Sequence, residues 1–257
     1  MTETENSKYT DSAGVPWQGR AFSDNPFSSD DGLADSDLLT AIQAFQRTEA
    51  SLEDVVVAFA KARLLIPLVA NLGEAGNGEH GLKVDKSAEL AIVTVMTPDG
   101  QNALPVFSSV ATMQSWNPEA RPAPNFGRAV ALAAASEGNT RIVLDPGSTT
   151  ELVIRRPAIA AIAQGLPWSA PEVNPRVQDL VGEILSNLDK VDSFNLSTGD
   201  ADARLSGQEL VITIFLEPGL VNEELKALES QFFAGLSQTA EFVELVDSVA
   251  VRFLPVS

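Results

Sequence analysis

The spacing of apolar residues predicts two helices at the start of the folded chain. Apolar positions from Leu38 to Phe45 recur with a helical period, and this helix should begin near Ser36. A second helix follows Ser51, whose hydroxyl is placed to cap it, with Asp54 where a capping box has glutamate or glutamine. Its inward stripe consists of Val55, Phe59 and Ala62.

Uninterrupted apolar runs predict the strands of the same region. Pro67 lies inside the first run and cannot donate to a ladder, which predicts a sheet edge or a bulge there. Asp99-Gly100 predicts a hairpin turn between the second and third runs, because glycine supplies a positive φ. The runs are Leu64–Ala70, Leu90–Met96, Ala103–Phe107, Arg141–Leu144 and Glu151–Ile154.

Prolines mark the predicted starts of three further helices. Pro124 is placed at the first position of a helix that continues from Phe126 to Ser136 and ends at Gly138. Pro157 opens a helix through Ile162. Asn174 caps a third helix with Pro175 at its first position. The third helix has the strongest periodicity in the chain, carried by Val177, Leu180, Val181, Ile184, Leu185 and Leu188.

The same patterns divide the chain into three parts. Residues 1–36 are polar and acidic without periodicity, which predicts a partly disordered extension. Residues 37–168 form a first domain, and Pro167, Pro171 and Pro175 separate it from a second domain at 172–257. The second domain has the order α-β-β-α-β. We therefore expect an α+β fold with two α/β-sandwich-like domains, each a small mixed sheet packed by helices.

Composition and charge narrow the class of function. The 257 residues carry a net charge of −18, with 5 basic and 15 acidic side chains in residues 172–257. Such a surface repels nucleic acid, whose binding depends on lysine and arginine. The chain has no cysteine, no apolar run of membrane-spanning length and no secretory signal pattern. We expect a cytoplasmic protein that binds neither membrane nor nucleic acid, with its oligomeric state open.

Residue types that carry catalysis are scarce. His80 is the single histidine, and it lies in a polar loop where Gly73, Gly76 and Gly78 read G-x-x-G-x-G without a helix to follow. A lone imidazole without thiols favours no metal site and no cofactor. Asp145 ends a buried strand, where α/β proteins often place reactive groups, but Asp-Pro-Gly is also a common turn. We expect no enzymatic activity and no catalytic residues.

Arginines and tryptophans are the remaining candidates for binding. Clustered guanidinium groups can hold a carboxylate or phosphate, although pairing with neighbouring Asp and Glu is the simpler interpretation. Trp116 adjoins the proline-spaced stretch from Pro118 to Pro124, which suits a packed loop or a recognition surface. Trp17 and Phe27, in the extension, either pack on the chain's own domain or dock on another protein. The candidate binding set is Trp116, Arg121, Arg128, Arg155 and Arg156.

Several motifs resemble the SseB (enhanced serine sensitivity) proteins, especially the two-domain actinobacterial type with an N-terminal and a C-terminal SseB domain. They are the A-L-P-V-F-S-S strand at 103–109, Trp116, Arg121-Pro122-x-Pro124, Leu144-Asp145-Pro146, and Arg155-Arg156-Pro157 leading to Gly165 and Trp168. The resemblance implies a fold and a link to serine tolerance. It implies no set of catalytic residues.

Three functions remain open at this point. The first is a non-enzymatic protein-interaction module, whose first domain presents a surface to an unknown protein partner. The second is a binder of a small anionic metabolite or amino-acid derivative that uses the first-domain arginines. The third is an enzyme that works with carboxylates alone, with Asp145 as its best candidate.

Overall fold

The computed structural model describes residues 26–71 and 89–256, and this part of the chain contains eight helices and ten strands. The helices are α1 (Ser36–Gln46), α2 (Leu52–Lys61), α3 (Val110–Trp116), α4 (Gly127–Ser136), α5 (Arg156–Gln164), α6 (Pro175–Leu185), α7 (Asn222–Gln238) and α8 (Ala240–Leu245). The strands are β1 (Arg63–Asn71), β2 (Glu89–Ile92), β3 (Val95–Met96), β4 (Asn102–Val106), β5 (Arg121–Phe126), β6 (Arg141–Leu144), β7 (Leu152–Arg155), β8 (Val191–Thr198), β9 (Leu210–Leu216) and β10 (Val249–Pro255).

The strands form three small sheets with the orders β2-β1-β5, β3-β4-β6-β7 and β10-β9-β8. The first is antiparallel throughout. The other two are mixed, because β4 pairs parallel with β6 and β9 pairs parallel with β10. The predicted α+β class is confirmed. Residues 37–168 contain two sheets, however, where one was expected.

Local chemistry explains where the first two helices begin. The Asp35 carboxylate accepts hydrogen bonds from the amides of Asp37 and Leu38 at the start of α1. At α2 the Ser51 hydroxyl accepts from the Asp54 amide, and the Asp54 carboxylate accepts from the Ser51 amide. Aspartate thus completes the predicted capping box, and both helix starts are confirmed.

The start of α4 is set by a close approach between two backbones. A β-carbon at Gly127 would lie 1.8 Å from the Phe59 carbonyl oxygen, so only glycine fits there. The Gly127 amide donates to the Ala62 carbonyl at 3.0 Å. The N-terminus of α4 therefore packs directly on the C-terminal end of α2.

The predicted strand from Leu90 to Met96 is wrong as a single element. It is divided into β2 and β3, which belong to different sheets. Both lie at a sheet edge, and Ile92 and Met96 are exposed. A continuous apolar run is typical of a strand buried on both faces, but here one face of each short strand meets solvent.

Two proline predictions also fail. Pro67 lies in β1, the middle strand of its sheet, where Leu65 pairs with Phe107 and the β2 ladder begins only at Leu68. Pro67 falls in the gap between these two pairings, where no amide donor is needed.

Pro124 lies in β5, three residues before α4 begins at Gly127. Proline's fixed φ suits the first helical position and an edge strand alike.

The prolines of β5 leave its outer edge without amide donors at two positions. The Leu65 amide donates to Phe107 on the far side of β1, so the Leu65–Pro124 and Pro67–Pro122 pairs are of the type whose amide positions point away from each other. The nitrogens of Pro122 and Pro124 therefore face outward along the sheet edge. Such an edge is a poor template for a further strand.

The described residues from Gly32 onward form one compact unit, in which two large hydrophobic cores are distinct. The first core includes residues of α1, α2, α4 and α5 packed on β1, β4, β6 and β7. The second packs α6, α7 and α8 on one face of the β8–β10 sheet. Helices α3 and α8 were not predicted. No helix in residues 26–71 and 89–256 is long and apolar enough to cross a membrane.

Candidate functional site

A cluster of buried charges joins the strands of the first core to the chain beyond residue 199. Asp247 lies at its centre, with a side chain only 4% exposed that accepts from Arg141 at 2.7 Å and from Arg155 at 3.4 Å. Arg155 also donates to Asp200 at 2.6 Å, and Arg141 donates to Asp99 at 3.0 Å. We call these five side chains the seam.

The seam continues into backbone groups. Arg155 donates to the Gly207 carbonyl at 2.8 Å and to the Ser248 hydroxyl at 3.1 Å. Beside it, the Val153 amide of β7 donates to the Ala203 carbonyl at 2.7 Å. Each buried guanidinium is thus matched by carboxylates and hydrogen bonds, as a buried ion pair requires if it is not to destabilise the fold.

Glu209 borders the seam and is the most perturbed carboxyl of this region. Its carboxyl group accepts from the Asp247 amide at 2.6 Å. Burial raises the pKa of Glu209 to about 7, and the nearby Asp247 carboxylate adds to the rise. By contrast, burial alone would raise the pKa of Asp200, but hydrogen bonds from Arg155 and Ser206 outweigh it and hold that pKa below its ordinary value.

A small cavity of about 30 Å³ lies between the seam and the linker to α6. Arg155, Glu172 and Glu209 contribute to its lining, and burial raises the pKa of Glu172 as well. The indole Nε1 of Trp168, which also lines the cavity, has no hydrogen-bond partner among the described residues. This volume accommodates ordered water and is too small for a metabolite.

Asp145 is held in a second polar network. It is fully buried, at φ +47, and accepts from the Ser108 amide at 2.8 Å and the Ser108 hydroxyl at 2.7 Å. Thr112 and Thr150 donate their hydroxyls to the same carboxylate at 3.0 and 2.8 Å. The carboxylate therefore ties the A-L-P-V-F-S-S strand to the Leu-Asp-Pro turn. That Asp145 serves an enzyme stays a prediction.

The structure places the predicted binding arginines at separate points. Arg128 donates to the Ala163 carbonyl at the C-terminal end of α5, whereas Arg156 begins that helix, about 10 Å away along its axis. Arg155 lies in the seam, and Arg156 donates to the carbonyls of Val243 and Val246. Arg121 is exposed on β5 and has no ion pair within residues 26–71 and 89–256.

The structure places the predicted aromatic residues in different surroundings, and one of them lies outside the described residues. The ring of Trp116 packs against Phe107, with ring centroids 5.3 Å apart, in a small core between α3 and β1. Phe27 lies in a turn, where its carbonyl accepts from the Asp30 amide at 3.1 Å. Trp17, His80 and the glycines of the G-x-x-G-x-G loop lie outside the described residues. Ligand binding by this set stays a prediction.

An exposed apolar groove lies between α7, α8 and the start of α5. Its volume is about 210 Å³, and it includes the rings of Phe233 and Phe242 and the side chain of Val243. Phe233 is 39% exposed and Val243 is 47% exposed. Arg156 closes one end through its hydrogen bonds to α8 and the residue after it. We call this feature the α7–α8 groove.

Sequence reasoning missed the seam and the groove. Asp200 and Asp247 are 45 and 92 residues from Arg155, so no local spacing marks the pairs. The sequence predicts a helix from Asn222 whose inward residues are Leu225, Leu228, Phe232 and Leu236, and Phe233 is not among them. The adjacent pair Phe232-Phe233 was the available signal, because neighbouring helical positions point about 100° apart and one ring of such a pair can lie at the margin of the apolar face.

Of the comparisons with known proteins, only the one with family models finds a match. No curated protein and no solved structure matches the chain. Residues 36–161 match the family model described as SseB protein N-terminal domain. This range contains Ser108, Asp145 and Arg155, which carry the two buried polar networks. The chain belongs to the SseB family through this N-terminal domain.

Proposed function

We propose that this protein is a non-enzymatic interaction module that acts in the cytoplasm by binding another protein. The observation that carries the proposal is the α7–α8 groove, in which Phe233 and Val243 expose apolar surface beside a well-packed core. A cluster of partly exposed apolar side chains in a concave patch is typical of protein-binding surfaces. The link of the family name to serine tolerance would then act through the partner.

The placement of charged groups agrees with this proposal. The guanidinium groups of Arg128, Arg155 and Arg156 are engaged in hydrogen bonds within the chain. The Asp145 carboxylate accepts from three side chains. Such groups stabilise the fold, whereas the groove presents exposed apolar side chains that are available to contact another molecule.

The test is co-purification from the native cells. The tagged protein should retain a stoichiometric partner at mild salt, and Phe233→Asp should lose it, because a charge in the groove opposes burial against an apolar group. Leu132→Asp is the matched control, since Leu132 is 53% exposed on α4, outside the groove.

Thermal unfolding of both variants must first show that they remain folded. Loss of the partner by Phe233→Asp alone supports the proposal. The absence of any stoichiometric partner, or equal retention by both variants, contradicts it.

A further inference from the structure

On α7 and α8, which flank the α7–α8 groove, exposed acidic side chains outnumber basic ones, and the one cation among the described residues of the groove's lining, Arg156, is engaged by the carbonyls of Val243 and Val246. Residues 172–257 carry 15 acidic and 5 basic side chains, and Glu229, Glu241 and Glu244 on α7 and α8 are exposed. Glu229 precedes Phe233 by one helical turn, so the two lie on the same face of α7. Glu241 is already paired with Arg176 at 2.5 Å. Glu229 and Glu244 have no ion pair within the described residues.

The size of the groove limits what can enter it. Its volume of about 210 Å³ is below the roughly 300 Å³ at which pockets for whole small ligands begin. One branched or aromatic side chain is a better match. The floor is apolar, formed by Leu236, Phe242 and Val246, and would favour such a side chain through the hydrophobic effect.

We propose, on the basis of the proposed function, that the groove binds a basic segment of the partner protein that inserts one apolar side chain beside Phe233. Lysine or arginine residues next to this anchor face Glu229 and Glu244. A second copy of this chain is a poorer occupant, because it would bring a second Glu229 and Glu244 against the first pair, and like charges repel each other.

Synthetic peptides test this directly against the full chain. The first is a fluorescein-labelled twelve-residue lysine-rich peptide with a central Leu, and the second has Ser in place of that Leu. The third keeps the Leu but has Glu in place of each Lys. We expect saturable binding of the first peptide only, with the Ser peptide weaker by about ten-fold or more. Raised salt should weaken binding of the first peptide, since Glu229 and Glu244, the charges at the rim of the groove, are exposed.

Two variants separate the anchor from the rim. Phe233→Asp should weaken the first peptide by at least about ten-fold. The double variant Glu229→Gln with Glu244→Gln should weaken it by about two- to ten-fold and reduce its salt dependence.

A matched control removes two acidic charges at the far end of the β8–β10 sheet. Asp192→Asn with Glu217→Gln alters positions beside Leu216, whereas the groove residue Val249 pairs with Leu210 at the other end. These ends are about 20 Å apart along β9. This control should bind the first peptide as the unmodified protein does.

The outcomes are distinct. If the Ser peptide binds as tightly as the first peptide, the groove does not need an apolar anchor and the proposal fails. If the Glu peptide binds as tightly as the first, the groove does not need basic residues and the proposal fails as well. Equal effects of the rim and far-end double variants also overturn the proposal, as does dimerisation abolished by Phe233→Asp. If no peptide binds at millimolar concentration while co-purification still depends on Phe233, this inference fails and the proposed function stands.

Discussion

Glu209→Gln should make the protein less sensitive to pH. In the folded protein burial raises the pKa of Glu209 to about 7, against an ordinary value of 4.5. Between pH 4.5 and about pH 7, the folded state therefore keeps a proton on Glu209 that the unfolded state has released. The stability that Glu209 contributes is fully present below about pH 4.5 and is lost as the pH rises to about 7.

The size of the effect follows from the two pKa values. A rise from 4.5 to about 7 corresponds to about 3 kcal/mol of unfolding free energy. Glutamine keeps an oxygen that can accept from the Asp247 amide, and it cannot ionise. The stability of the variant minus that of the unmodified protein should therefore rise by about 3 kcal/mol across this window and stay constant above it.

The assay is urea unfolding followed by tryptophan fluorescence at pH steps from 4.5 to 8.5. Subtracting the two curves removes the titration of Asp99 and other carboxyls that both proteins share. Glu217→Gln, at an exposed glutamate, serves as the control and should give a flat difference. A flat difference for Glu209→Gln would refute the reasoning, because it would mean that burial does not perturb this carboxyl.

Three other variants test the packing, the buried polar network of Asp145 and the sheet edge. Gly127→Ala should cost more than about 4 kcal/mol by urea unfolding, because its β-carbon would clash with a carbonyl oxygen at 1.8 Å. Asp145→Ala should cost at least about 3 kcal/mol, since it leaves buried donors unpaired and forces alanine into a left-handed conformation. The double variant Pro122→Val with Pro124→Val should self-associate with rising concentration in light scattering, because it restores outward amides to a sheet edge.

Local elements could be read from the sequence where one physical cause dominates. Asn174 caps α6 with Pro175 at its first position, and the Asn174 side chain accepts from the Arg176 amide as predicted. Gly165 ends α5 at φ +70. In such cases the chain neighbours themselves supply the hydrogen-bond partners.

The candidate site could not be read in this way, because its partners are distant in sequence. Arg155 was a candidate, but Asp200 and Asp247 resemble other surface acids until the fold buries them. The same holds for Ser108 and Asp145, which are 37 residues apart. Likewise, the sequence shows Pro122 and Pro124 but neither the strand that contains them nor their outward direction, since both depend on pairing with β1.

The seam has a consequence for anyone who shortens this protein. The family match stops at residue 161, yet Arg155 and Arg141 depend on Asp200 and Asp247, and the edge of β7 bonds to Ala203. A fragment cut at the family boundary would expose the guanidinium groups of Arg141 and Arg155 and leave the outer edge of β7 without its bond to Ala203. The stretch that matches the family model is therefore shorter than the stretch of chain that completes its buried ion pairs.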